Sequence, residues 1–361
     1  MSSAALTEED THPRHAMDGH GKKDGAELRK RLLGALIMPF FIAFMYPLVF
    51  SGANHHTQPR HMNIAIVGTE PASHSLTQQL ETSLGDKVDL RELGSLDEGK
   101  RQVRDREIRA VYDADRSDLY VASAGGRSAK STAVKLFTPV ADQQHKKLDV
   151  HDLVPTAKHD TMAMSPLYLS MGVIIGGLAA GLFTAMIGQG MKPWIQAAPL
   201  IGTPILLAAL EVLFGWVFFD LYDGSWFKPG CIIFLLGLVS ALFTWGGVKL
   251  IGPLHVPLSV LTLVLLGVTG SGVATPLDMA PAFYDVVHTL LPAGRGISAL
   301  RDAIYFHHVN VGWDLVIMGL WGAVGLMMAL VAHLIHRDTS DAVTREAVIE
   351  EAAAATAAGI P

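Results

Sequence analysis

Cysteine is almost absent from this sequence. Cys231 stands alone, which excludes a disulfide framework within the chain, so any aqueous domain must hold itself together by packing. Cys231 opens an apolar run and reads as a small buried apolar residue. Charge is scarce as well. Only 17% of the residues are charged and 50% are hydrophobic, whereas an ordinary soluble protein carries about 25% charged residues. The shortage is local: charges crowd into residues 1–31, 60–160 and 336–351 and are sparse between Ser165 and His336. This distribution excludes one uniform core and fits a membrane half joined to an aqueous half. No long basic run accompanies the net charge of −6, so nothing points to nucleic acid. The sequence also lacks HExxH, CxxC and a Ser-His-Asp order with an elbow motif. It therefore predicts no enzyme chemistry, no cofactor and no metal.

What is present divides along the chain. Residues 1–24 are polar and without periodicity, and their composition predicts a disordered cytoplasmic tail. Residues 25–52 hold an interface segment and a first span. Lys22, Lys23, Arg29, Lys30 and Arg31 precede the apolar run Leu32–Phe50, which is nearly the ~20 residues a membrane helix needs. The run ends in Tyr46-Pro47-Leu48-Val49-Phe50 without a small-x-small cleavage site, so it reads as a retained signal anchor. The flanking cations put the N-terminus in the cytoplasm.

Residues 53–164 predict a small extracytoplasmic α/β domain. Asn63–Gly68 reads as a buried strand ending in a turn, Leu76–Leu84 as a helix, and Val88–Leu93 as a second strand. Leu96–Arg106 follows as a charged helix with Asp97 and Glu98 in its first turn. Ile108–Tyr112 and Leu119–Val121 read as a hairpin, and Ala129–Leu148 as a long helix kinked at Pro139.

Residues 165–273 hold spans two to five: Pro166–Ile187, a span within Trp194–Asp220, Cys231–Lys249 and Pro257–Val273. Trp313–Ile335 is the sixth, within 313–337, and 338–361 is a cytoplasmic tail. The fold class is thus a polytopic α-helical membrane protein with about six transmembrane helices in a one-plus-five arrangement. The positive-inside rule places Lys192, Lys249, His336 and Arg337 in the cytoplasm with both termini; among flanking cations only Lys228 disagrees. Trp194, Trp226 and Trp313 mark span ends. Between the last two spans, residues 274–312 form two short amphipathic helices. One carries Phe283, Val286, Val287, Leu290 and Leu291; the other carries Ile297, Leu300, Ile304 and Tyr305, and Pro292 separates them. They lie on the outer interface or dip back between spans, where protein must cover irregular backbone.

Several residues invite a functional reading. Glu211 lies midway along the third span, where a carboxyl is costly; it lines a polar pathway or bonds to a neighbouring helix. Gly172/Gly176 and Gly177/Gly181 are GxxxG pairs that serve a subunit interface or packing within one bundle. Arg301 and Asp302, with Arg295 before them, clamp the two short helices, hold lipid headgroups, or snorkel. His55, His56 and His61, like His307 and His308, are loop histidines without metal-ligand spacing. Ala124-Gly125-Gly126-Arg127-Ser128-Ala129-Lys130-Ser131 approaches a nucleotide loop, but alanines occupy both required glycine positions. ATP binding by this chain is therefore not expected.

The stretch Leu263–Phe306 resembles the late segment of the YhgE/Pip (phage infection protein-like) branch of the type-2 ABC exporter permeases. The matching features are Gly270-Ser271-Gly272, Pro276, Leu291-Pro292 and Leu300-Arg301, together with the one-plus-five layout and the strand Ile64–Val67. The external domain here is short beside the long, often coiled-coil insertion of classical members. The resemblance implies a bacterial plasma-membrane permease subunit, a homodimer or a heterodimer with a related permease, moving a lipophilic or envelope-related substrate outward. It implies a separate cytoplasmic ATPase partner, docked at Ala26–Arg31, which includes Arg29, and at Gly188–Gln196, which includes Lys192 and Trp194. A cell-envelope scaffold or receptor that binds a partner through its external domain is the other function it allows. Membrane lipids are partners in either case.

The orientation is testable. In a Cys231→Ala background, a membrane-impermeant thiol reagent is expected to label Glu70→Cys in intact cells and not Lys192→Cys. The opposite labelling would invert the whole topology.

Overall fold

A computed structural model of the protein describes residues 37–54, 58–70 and 72–357. The predicted tail 1–24, the segment Ala26–Arg31 and the start of the first span at Leu32 lie outside the described residues. The chain falls into two units, Met1–Tyr46 and Pro47–Pro361. Helix α1 runs over Ile37–Asn54, and its first part presents Phe40, Phe44 and Tyr46 outward.

The polar region is a five-stranded α/β domain with strand order β2-β1-β3-β4-β5. The strands are β1 (Met62–Val67), β2 (Val88–Glu92), β3 (Ala110–Asp113), β4 (Asp118–Val121) and β5 (Asp149–Asp152). Strand β1 pairs in parallel with β2 and β3, β3 and β4 form the antiparallel hairpin, and β4 pairs in parallel with β5. Helices α2 (Ala72–Leu84) and α4 (Arg127–Gln143) cover one face, and α3 (Leu96–Arg104) covers the other. Both faces of β1 are therefore buried, which is why it reads as a continuous apolar run. Gly99 lets α3 approach β3: a Cβ there would strike the Val111 side chain, 2.6 Å from its Cγ2. The sequence reading carried α4 on to Leu148, but the helix ends at Gln143 and β5 follows. Asp149-Val150-His151-Asp152 has too few apolar residues to read as a strand, because an edge strand buries little.

The rest of the chain is a helical bundle. Among the described residues, five helical stretches are long and apolar enough to cross a membrane: Ile37–Asn54, Ser165–Ile187, Trp194–Phe219, Phe227–Thr269 and Gly312–Ile335. The protein is thus a polytopic helical membrane protein. Helix α5 (Ser165–Ile187), α6 (Pro193–Phe219) and α7 (Phe227–Ile251) match the expected second to fourth spans, and α12 (Gly312–Ala357) contains the last. The fourth and fifth spans belong to one stretch that breaks at Gly252, where φ is +70°. The chain then reverses, and His255 packs back on Gly247 and the Phe243 ring. The return leg comprises α8 (His255–Ser259), a π-helical turn over Val260–Leu265 and α9 (Leu266–Thr269). It is roughly 22 Å long, short of a ~30 Å hydrocarbon layer. The expected fifth span, Pro257–Val273, thus falls on this return leg, whose helical part is shorter than the neighbouring helices.

Glycine contacts decide how the bundle closes. Gly177 and Gly181 of α5 lie on the Gly237 and Ala241 carbonyls of α7, and Gly325 of α12 lies on the Leu242 carbonyl. Backbones approach this closely only where Cβ is absent. Gly172 and Gly176 face α6 instead, against Glu211 and Leu207. Both GxxxG pairs are thus used inside this chain's own bundle. Gly177→Leu is expected to destabilise the protein by about 1–3 kcal/mol through overpacking, seen as a lower thermal midpoint in detergent. Gly202→Ala, with open space at its Cβ position, should leave the midpoint unchanged.

Candidate functional site

The segment between the short leg and α12 is where the two halves of the protein meet. It opens on Gly270-Ser271-Gly272, a turn that requires Gly272 at φ +68°. The Ser271 hydroxyl donates to the Val268 carbonyl at 2.7 Å and accepts from the Val273 N–H at 3.2 Å. Pro276 leads into a turn over Leu277–Met279 that pushes Met279 into the hydrophobic core of the α/β domain. Helix α10 (Phe283–Leu290) follows with one apolar side exposed, and its Tyr284 donates to the Val49 carbonyl at 2.6 Å. Leu291-Pro292 then starts α11 (Pro292–Tyr305). Of the two placements open to the short helices, α11 takes the deep one. Nearly every residue of it is buried, against α5, α7, α9 and α12. Its small residues permit this: Ala293 meets Gly267, Gly294 meets the Gly270 carbonyl, and Gly296 meets Leu236 and Met318.

Charges on this segment are met by arginines of the α/β domain. Arg109 grips Asp278 with two hydrogen bonds of 2.7 and 3.0 Å. Arg60 pairs with Asp285, and its backbone N–H donates to the Asp278 carbonyl at 2.7 Å. Arg106 pairs with Asp302 while its guanidinium lies 5.4 Å from the Phe306 ring centre. Within the membrane half, Arg295 bonds Asp314 at 3.0 Å. Tyr305 donates to Asp160 at 2.6 Å, and that carboxylate also accepts the Met164 and Ser165 N–H groups at the start of α5. A cleft of about 310 Å³ lies among Arg60, Arg106, Arg109, Asp278 and Asp285. We call this set of pairs the clasp.

Burial shapes its titration. Arg301 is only 2% exposed and donates to the Gly272 carbonyl at 2.9 Å. Burial and the neighbouring Arg106 cation push its pKa well below the usual arginine value. Burial, with the charge of Arg295, pulls His288 down to about 4. Because the Gly270 carbonyl can only accept, the Nδ1–H of His288 donates to it, at 2.8 Å.

The residues singled out in the sequence fall into separate places. Gly270, Gly272, Pro276, Pro292 and Arg301 come together in the clasp segment. Arg301 and Asp302 do not clamp the two short helices to each other, and Arg301 is too buried to snorkel. Arg301 closes on the Gly272 turn, and Asp302 reaches the α/β domain, because α11 runs into the protein interior. Glu211 lies elsewhere, its carboxyl filling the space left by Gly172. Among the described residues it has no ion pair, and the nearby Tyr222 hydroxyl, tucked over Gly215, has no hydrogen-bond partner. Lys192 and Trp194 are exposed at the α5–α6 turn, which Gln196 staples through the Gly188 and Met191 carbonyls, both at 2.9 Å. Arg29, His55 and His56 lie outside the described residues, and His61 bonds Asp89 at 3.0 Å. Cys231 is exposed rather than buried. It lines an apolar cleft of about 690 Å³ between α6 and α7 with Trp216 and Trp226, on the outward side of the bundle.

The sequence reading missed Arg60, Arg106, Arg109, Asp278 and Asp285. Their one sequence signal is that Asp278 and Asp285 stand in an otherwise apolar stretch. It also passed over Asp118, Asp149 and His151, whose ligand atoms lie within 4.8 Å of one another on the β4–β5 edge and are of a type that binds metal ions.

The chain matches no family model, and no curated protein or solved structure is significantly similar to it.

Arg109→Ala leaves Asp278 largely buried without its counter-ion. The expected loss is about 2–4 kcal/mol, read as earlier thermal unfolding in detergent and faster proteolysis of the α/β domain. The double variant Arg109→Ala/Asp278→Ala should lose less than Arg109→Ala alone, since no charge is stranded. A double-variant loss equal to the sum of the singles would mean the pair does not couple.

Proposed function

We propose that the chain is the membrane permease subunit of an ABC-type exporter, moving a lipophilic or envelope-related substrate outward with a separate cytoplasmic ATPase. The observation that carries this reading is the burial of α11 among four membrane-half helices while its Asp302 is held by the α/β domain. A helix placed so ties any shift of the bundle to the domain beyond it. A docked receptor domain has no need of such a link, whereas a transport cycle driven from the opposite face uses one. The resemblance of residues 263–306 to exporter permeases falls on this same helix.

In this reading the one-plus-five layout sets the α/β domain outside and both termini inside the plasma membrane. The α5–α6 turn offers exposed Lys192 and Trp194 to the ATPase. The subunit works as a dimer with itself or a related permease. The GxxxG glycines are occupied within the bundle, so the dimer contact uses other surfaces, and the outward side chains of α6 are ample for it. Glu211 is the candidate pathway residue: its carboxyl is half-buried, without an ionic partner among the described residues.

Affinity purification from native membranes tests the reading. An ATPase subunit is expected to co-purify, and its basal hydrolysis should change when this chain is reconstituted with it. Trp194→Ala should weaken that coupling by about tenfold, equivalent to about 1.4 kcal/mol. Co-purification with secretion or envelope proteins and no ATPase would favour the scaffold function instead. For Glu211, the Gln and Ala variants should both lower transport once the substrate is in hand; full transport by both removes it from the pathway.

A further inference from the structure

We propose that Asp118, Asp149 and His151 hold a transition-metal dication of the zinc type on the β4–β5 edge of the α/β domain. The strand register brings them together. Asp118 of β4 is opposite Asp149 of β5, and Tyr120 is opposite His151. Residues paired in this way, and residues two apart on one strand, point to the same side of a sheet. All these side chains therefore rise from one face, the one α3 covers, where Tyr120 packs with Val103.

Their spacing is that of ligands around an ion. Nε2 of His151 faces Oδ1 of Asp118 at 3.6 Å and Oδ2 of Asp149 at 3.7 Å. Both distances are too long for hydrogen bonds. Zinc bound at about 2.0–2.2 Å sets tetrahedral ligands roughly 3.3–3.6 Å apart, and the three ligand atoms here lie within 4.8 Å of one another. Two carboxylates placed directly opposite each other also repel. Among the described residues neither has a Lys or Arg partner; Lys100 sits instead over the Tyr120 ring, 4.3 Å from its centre. A dication supplies the counter-charge. The imidazole selects which one, since calcium and magnesium take oxygen ligands whereas imidazole suits zinc and its neighbours.

Tyr120 holds the ligands in place. Its ring stacks on that of His151, with centres 4.7 Å apart and 18° between planes. Its hydroxyl donates to Oδ2 of Asp118 at 3.3 Å, which leaves Oδ1 for the ion. Groups that orient the ligands accompany bound metals in this way. Side-chain exposure rises from 18% at Asp118 to 41% at His151 and 73% at Asp149. The ion can thus enter from solvent, and water completes its coordination. Once bound, it would fasten β5, an edge strand that buries little, to β4.

The test is a calorimetric zinc titration of the untagged full-length chain in detergent, after stripping with a chelator. One equivalent per chain is expected to bind more tightly than the rest, which fall on other histidines. Asp149→Asn should weaken that equivalent at least about tenfold, and His151→Ala should abolish it. His159→Ala, exposed on the connection to α5, should retain it, and so should the combined variant His12→Ala/His15→Ala/His20→Ala. Crystals soaked in zinc should show an anomalous peak among the three side chains, which decides the matter even if His151→Ala does not fold. Zinc binding unchanged in both site variants, a peak only at other histidines, or calcium taken in preference to zinc would each overturn the proposal.

Discussion

A guanidinium taken out of water must find acceptors and counter-charge, and Arg301 imposes that demand at the centre of this protein. It lies on a helix that the bundle buries almost completely, in a stretch with few charges to spare. The protein meets the demand by folding the Gly270-Ser271-Gly272 turn so that a backbone carbonyl faces the side chain, and by gathering Asp278 and Asp302 nearby. Those aspartates are then cations' partners in their turn, and the α/β domain supplies the arginines. Docking of the α/β domain and burial of α11 thus meet one demand for counter-charge.

The same logic explains the placement of small residues. A polar, charged helix can enter a bundle only if backbone contacts compensate, and close backbone contacts need glycine or alanine at the crossing points. Ala293, Gly294 and Gly296 provide them on α11, and Gly267 and Gly270 on the leg it meets. Met279 extends the docking in apolar form by completing the core of the α/β domain. The clasp therefore combines an apolar plug with ion pairs, the first giving attraction and the second fixing orientation.

The membrane half shows a division of labour among its helices. Helix α7 is enclosed by α5 on one side and α12 on the other, and it receives the short leg as well. Helix α6 stands at the outside, with Trp216, Phe218 and Leu206 facing away from the bundle. Glu211 lies on the inner side of that helix with Leu207 and Ala208, its carboxyl against Gly172. Its neighbour Tyr222 folds back over Gly215, so two polar groups share a slot that two glycines open.

How much of this the sequence determined by itself follows from the reach of each signal. Charge depletion and long apolar runs are local, and they placed α5, α6, α7 and the start of α12 to within a few residues, because spanning length is set by the bilayer; that α12 continues past Ile335 to Ala357 carries no apolar signal. Alternation and turn residues likewise placed β1 to β4, and the Leu291-Pro292 step separated α10 from α11. Strand β5 was illegible because an edge strand carries no apolar pattern. The depth of α11, the short return leg after Gly252 and the exposure of Cys231 were illegible because a helical stripe tells which side is apolar, not what covers it. Above all, the pairing of Arg60, Arg106 and Arg109 with Asp285, Asp302 and Asp278 joins residues some two hundred positions apart. No local pattern encodes such a pairing; it exists only once the sheet and the bundle are brought face to face, where the cost of leaving a buried charge alone selects its partner.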